Sequence, residues 1–102
     1  MRENEIERYF RRRVEAIGGL CLKFESPGES GVPDRLIMLH SGRAAFAELK
    51  APGKRERALQ EWQQARFRAL GFRVYSAVDS MDRAAEVVED LVRWEAEQDG
   101  RV

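Results

Sequence analysis

Apolar residues along the first segment recur at helical spacing. Ile6, Phe10, Val14 and Ile17 fall three or four positions apart with charged residues between them, and Gly18-Gly19 follows. That period places the four on one face of a helix over about residues 6–17, which the glycine pair ends. The pattern then shortens. Residues 20–24, Leu-Cys-Leu-Lys-Phe, read as a strand, and Ser26-Pro27-Gly28-Glu29-Ser30-Gly31 as a loop rich in residues that break regular structure. Two further strands are predicted at 35–40 and 43–50 around a tight Ser41-Gly42 turn, and Pro52-Gly53 ends the second. A helical period returns over about 56–70, capped by Gly71, with Leu59, Trp62, Phe67 and Leu70 expected on its apolar side. Residues 72–77 read as a fourth strand. A last helix starts near Asp79 or Ser80 and carries Ala84, Val87, Val88, Leu91 and Val92 on one side.

The order α-β-β-β-α-β-α implies an α/β fold. An antiparallel three-stranded meander followed by a helical crossover into a fourth strand gives a mixed central sheet flanked by helices. The 102 residues suit one domain, 1–102, with one core. There is no internal repeat, no interdomain linker and no glycine-rich phosphate loop of the common types.

Charged residues at 35% and hydrophobic ones at 43% describe a folded chain rather than a disordered one. No run approaches the roughly 20 apolar residues of a membrane span, and no secretory signal is visible. Cys21, the single cysteine, has no internal partner, which agrees with a reducing compartment. It lies in an apolar run and is expected to be a small buried hydrophobe. One cysteine and one histidine exclude a four-ligand structural zinc site. The net charge of zero argues at first against a nucleic-acid partner. Its distribution alters that reading: 15 basic and 10 acidic residues precede Ser76, and 3 basic and 8 acidic ones follow from there. A basic body with an acidic tail helix can present a positive face on a neutral molecule, although ordinary solvated surfaces would have the same composition.

The chemistry concentrates in residues 31–50. Asp34 opens one predicted strand, and Glu48 and Lys50 close the next. With the turn centred near Ser41-Gly42, Arg35 falls roughly opposite Glu48 and Asp34 within one residue of it, at ladder separations of roughly 5 Å. Glu48 and Lys50, two apart on a strand, share a face, while Leu49 points into the core. Two carboxylates this close repel each other unless a cation lies between them, and Mg²⁺, which takes oxygen ligands, fits that role. The same three residues also admit a plainer reading, as strand-end acids paired with a lysine on a wet surface. Glu7 lies beside Val14 on the inward side of the first helix, where a buried acid needs a partner. Its spacing from Asn4 is also that of a capping box, and Glu3, one turn earlier, points the same way.

Gly31-Val32-Pro33-Asp34, followed by Ala47-Glu48-Leu49-Lys50-Ala51-Pro52-Gly53-Lys54, resembles the VRR-NUC family of virus-type replication and repair nucleases, part of the PD-(D/E)XK nuclease superfamily. The likeness runs from about residue 3 to residue 80. It includes Lys23-Phe24, Ser26-Pro27-Gly28, and Leu59-Gln60 ahead of Leu70-Gly71-Phe72-Arg73-Val74-Tyr75. The resemblance implies a restriction-endonuclease-like core and a DNA endonuclease using Mg²⁺ or Mn²⁺. Asp34 and Glu48 would be metal ligands, joined by the Leu49 backbone carbonyl, with Lys50 the catalytic lysine. Glu7 matches a first-helix glutamate that completes the acidic cluster. Gln60 matches a glutamine on the helix after the catalytic strand, bonded to a metal-bound water or to a neighbouring site residue. Lys23, Arg35, Lys54, Arg55 and Arg57 are candidate phosphate contacts, and the loop from Ser26 is placed to wrap the scissile strand or simply to connect. Arg11-Arg12-Arg13 read as a solvated face, and Trp62, Phe67 and Trp94 as core or interface.

Small members of the family resemble phage and archaeal junction resolvases, which act as homodimers on four-way junctions. The expected function is therefore a structure-selective, Holliday junction resolvase-like nuclease, working on branched DNA in the cytoplasm of a bacterial or phage-infected cell, with no membrane partner. Two alternatives stand beside it. One is a non-catalytic DNA-binding or assembly subunit with a nuclease fold. The other is a flap or restriction-like nuclease that needs a helicase partner.

Overall fold

A computed structural model describes residues 2–98. The elements follow the expected order: α1 (Glu3–Ala16), β1 (Leu20–Lys23), β2 (Arg35–Met38), β3 (Ala44–Leu49), α2 (Ala58–Ala69), β4 (Arg73–Val78) and α3 (Met81–Gln98). The four strands form one mixed sheet in the order β1-β2-β3-β4, the first two pairings antiparallel and the last parallel. Among the described residues, no helix is long and apolar enough to cross a membrane.

Strand alternation divides the sheet into two unlike faces. Cys21, Ile37, Ala45, Ala47 and Tyr75 face α1 and α3, where Ile6, Phe10, Val14, Val87 and Leu91 complete the main core. Burial pushes the Cys21 thiol up to about 12, so it behaves as the inert hydrophobe expected from its surroundings. α3 is tied to β4 by polar contacts as well. Asp90 accepts from Tyr75 at 2.6 Å and from Arg73 at 3.0 Å, and the Arg73 guanidinium lies over the Trp94 ring. Val92, expected on the inner side of α3, is exposed.

The opposite face carries α2 over a small aromatic cluster. Phe46 makes edge contacts with Phe24, Phe67 and Phe72. Of the expected apolar side of the helix, only Phe67 turns inward. Leu59, Trp62 and Leu70 are 47%, 56% and 71% exposed, while Gln63 and Gln64 are buried. The glutamines face inward because acceptors await them. Gln63 donates to Glu29 and to the Ser30 carbonyl, and Gln64 donates to Glu56. Arg66 also reaches Glu29, so α2 holds the 26–31 loop through side-chain bonds. Gly31 seats that loop: its φ is +82°, and a Cβ there would lie 2.8 Å from Leu59 Cγ. α2 leaves the β1–β2 part of this face open, and Leu20, Leu22 and Met38 are exposed on it.

The β2–β3 hairpin differs from expectation by half a residue of register. Leu39 N–H donates to Arg43 O, and Gly42 N–H to Leu39 O, so the loop is His40-Ser41-Gly42 rather than two residues, with Gly42 at φ +89°. The pairing is Arg35 with Ala47, which on continuation puts Asp34 opposite Glu48.

Candidate active site

Each acid is positioned by a ladder end. Asp34 stands one place before β2, where its backbone carbonyl still accepts from Phe24 N–H. Its carboxylate Oδ1 accepts the Leu49 N–H at 3.0 Å, a bond from the side chain of one strand end to the backbone of the next. Glu48 precedes Leu49 on β3 and is only 4% exposed. Lys50 follows β3, and its N–H extends the pairing by donating to Val78 O at 3.0 Å.

Gln60, in the first turn of α2, joins these residues. Its Nε2 donates to Glu48 Oε2 at 2.9 Å. Its Oε1 accepts from Lys50 Nζ at 2.7 Å and from the Arg57 backbone N–H at 2.9 Å. Lys50 Nζ lies 3.7 Å from Glu48 Oε2. The other carboxylate oxygen, Glu48 Oε1, is buried and has no protein partner. Burial, and after it the charge of Asp34, push the Glu48 carboxyl from its ordinary 4.5 up to about 7. Burial raises Asp34 as well, against the opposing Leu49 amide and Arg35.

These features fit a divalent cation. Two neighbouring carboxylates are destabilised in their charged forms, and one buried oxygen is left orphaned. The expected three-acid cluster does not assemble, however. Among the described residues no group of three or more His, Cys, Asp or Glu side chains is gathered to hold a metal ion. Glu7 instead pairs with Arg11 at 3.5 Å and Arg35 at 3.8 Å. Strand alternation explains the separation: Arg35 and its partner Glu7 lie on the α1 side of the sheet, and Glu48 on the α2 side. Glu7 does not cap its helix with Asn4 either, because the helix begins earlier and Glu5 accepts the Arg2 N–H.

Two open clefts flank the sheet end. One, of about 450 Å³, is lined by Glu48, Leu49, Lys50, Lys54, Arg55 and Arg57. The other, of about 320 Å³, is lined by Asn4, Glu7, Lys23, Asp34 and Arg35. Glu3 lines both. Lys54 and Arg55 are exposed at the first cleft, and Lys23 at the second. Arg35 is only 13% exposed in its side chain and is engaged by Glu7 and Asp34. Ser26 O accepts the Glu29 N–H in the turn of the loop. Sequence reasoning missed Gln63, Gln64 and Glu56, which hold α2 over the site. The inward spacing of Gln60, Gln63 and Gln64, at i, i+3 and i+4, was the available signal.

No protein-family model matches the sequence. The chain is 45% identical over 82 residues to "Putative nuclease p44" of Acyrthosiphon pisum secondary endosymbiont phage 1, an alignment covering 80% of this chain and 87% of the relative. A solved structure described as "VRR_NUC domain" superposes with a TM-score of 0.77 at 32% identity, covering 85% of this chain and 94% of the other. The mixed four-stranded sheet with flanking helices matches the VRR_NUC fold. The chain belongs to the VRR-NUC nuclease family.

Proposed function

We propose that this chain is a metal-dependent endonuclease that hydrolyses phosphodiester bonds in DNA, with Mg²⁺ or Mn²⁺ held by Asp34, Glu48 and the Leu49 backbone carbonyl. The observation that carries the reading is the buried Glu48, one oxygen bonded to Gln60 and the other unpartnered, beside Asp34 and Lys50. The cation, when bound, would polarise the scissile phosphate and lower the pKa of a coordinated water. The remaining work falls to side chains. Lys50 brings positive charge to the oxygens on which negative charge builds in the transition state. Gln60 keeps the Lys50 ammonium and the Glu48 carboxylate in fixed relation, so neither reorganises during the reaction. Lys54, Arg55 and Arg57 line the same cleft and would hold phosphates flanking the cut, contacts that carry no sequence information.

The finer reading is a structure-selective enzyme for four-way junctions acting as a homodimer. A chain of this size, with backbone-directed cations around its site, is suited to recognise DNA shape. The exposed Leu20, Leu22 and Met38 row on the β1–β2 face is the type of apolar strip a second copy would cover.

Incubating the purified chain with junction, flap and linear duplex DNA, with Mg²⁺ or with chelator, tests both levels. The expected result is preferential junction cleavage, abolished by chelator and by Glu48→Ala, with DNA binding retained in that variant. Equal cleavage of linear and four-way DNA would overturn the selectivity. Inertness of the wild type on every form would overturn the activity and favour a binding subunit.

A further inference from the structure

β4 carries an irregularity directly beside Glu48. In the parallel β3–β4 ladder Ala47 stands opposite Tyr75, yet Leu49 stands opposite Val78. β4 therefore fits one more residue into that interval than β3 does, and Ser76 and Ala77 face Glu48. Bulges are rare in parallel pairings, and they re-aim neighbouring side chains. Ala77 has a φ of +50°, the one positive value at a described non-glycine residue, in a region alanine enters when its surroundings impose it.

A bulge also strips backbone groups of their ladder partners. Both are taken up by charged side chains. Ala77 N–H donates to Glu56 Oε1 at 2.7 Å, and Ser76 O accepts from Arg83 at 3.1 Å. The second oxygen of Glu56 accepts from Gln64 Nε2 at 2.9 Å. Glu56 thus joins the segment entering α2, the inner face of α2 and the bulge. It lies four residues before Gln60, and just past the bulge Val78 O receives the Lys50 amide.

We propose that Glu56 is a positioning residue of the nuclease site: by holding the β4 bulge and fixing α2 against it, Glu56 sets how Gln60 meets Glu48 and Lys50. The proposal rests on the hydrolytic reading above. It adds a residue outside the acid–lysine–glutamine set, acting through backbone geometry rather than on substrate.

The test combines steady-state cleavage with amide hydrogen exchange on Glu56→Ala, Glu56→Gln and the double variant Glu56→Ala/Ala77→Gly. Glu56→Ala is expected to lower kcat about tenfold or more, with KM for DNA within about twofold. It should also expose the Ala77 and Lys50 amides to exchange while those of α1 stay protected. Glu56→Gln removes the charge but keeps an acceptor for Ala77 N–H, and should retain most of the activity. Adding Ala77→Gly should recover part of the lost kcat, because glycine takes a positive φ without strain, with every rate compared at temperatures where each variant is fully folded so that general destabilisation does not contribute. Should Glu56→Ala not fold, Glu56→Asp, one methylene shorter, is read in its place. Full kcat without Glu56, a loss with unchanged exchange at both amides, or no recovery with glycine at 77 would overturn the proposal. If the wild type cuts no DNA, the hydrolytic reading fails, while the exchange arm still decides whether Glu56 holds the bulge.

Discussion

Gln60 donates to Glu48 Oε2 at 2.9 Å while accepting from Lys50 at 2.7 Å. A carboxylate only accepts and an ammonium only donates, so a side chain with both a donor and an acceptor, as an amide has, is needed to fix both at once. Gln60→Ala is expected to lower kcat about 10- to 100-fold with little change in KM, since the loss is of alignment rather than of DNA contact. Gln60→Glu should be at least as damaging, because it removes the donor and adds a carboxylate beside Glu48. Single-turnover cleavage alongside circular dichroism checks both variants, and wild-type rates in either would remove Gln60 from the site.

Lys54 and Arg55 are exposed in the cleft that Glu48 and Lys50 line. If each neutralises one phosphate, the double alanine variant should weaken binding to every DNA sequence alike. It should also flatten the slope of log K against log salt by about 2, roughly one per contact. Titrations at several salt concentrations decide the matter. An unchanged slope would place the DNA path elsewhere.

Gly31 couples the 26–31 loop to α2. A methyl group at this position would meet Leu59 Cγ at 2.8 Å, and the φ of +82° disfavours any L side chain. Gly31→Ala should cost about 1–2 kcal/mol from the backbone alone, lowering Tm by roughly 5–15 °C in a domain of this size. Because the loop leads into Pro33-Asp34, kcat should fall as well, at temperatures where the variant is still folded. A thermal melt together with the cleavage rate would show whether stability and alignment move together.

Much of this site was legible along the chain, and the illegible parts share a cause. Alternation put Glu48 and Lys50 on one face, hairpin geometry brought Asp34 near them, and the family resemblance singled them out with Gln60; the structure gathers all four at one sheet end. The hairpin register slipped because Gly42, at φ +89°, supports a three-residue loop that Ser41-Gly42 alone does not announce. The rule that apolar faces turn inward held for Phe67 on α2 but failed for Leu59, Trp62 and Leu70. There, Ser30 O, Glu29 and Glu56 offer bonds that make glutamine the better inward residue, and Leu59 and Trp62 are left exposed. Glu7 sits on the inward side of its helix as the period predicts, but the face it shares is that of Arg35, not that of Glu48. The bulge at Ser76-Ala77 left no trace in the local sequence, since parallel register is set by tertiary packing.

With a cation held by Glu48 as proposed, the stability of the chain should depend on pH and on divalent metal together. The Glu48 carboxyl is raised from 4.5 to about 7, by burial first and the Asp34 charge next. The native state therefore keeps a proton that the unfolded chain releases, and between those values raising the pH favours unfolding. This contribution is fully present below about 4.5 and is lost as the pH climbs through about 7. Asp34, also raised, acts in the same direction. A cation at the site needs the ionised form, so the rise in Tm produced by Mg²⁺ should be small near pH 5.5 and larger near pH 8. Glu48→Gln should flatten the metal-free dependence of Tm on pH across this window and abolish the Mg²⁺ response at both values. A Mg²⁺-induced shift that is equal at the two pH values, or that survives in Glu48→Gln, would locate the ion away from Glu48.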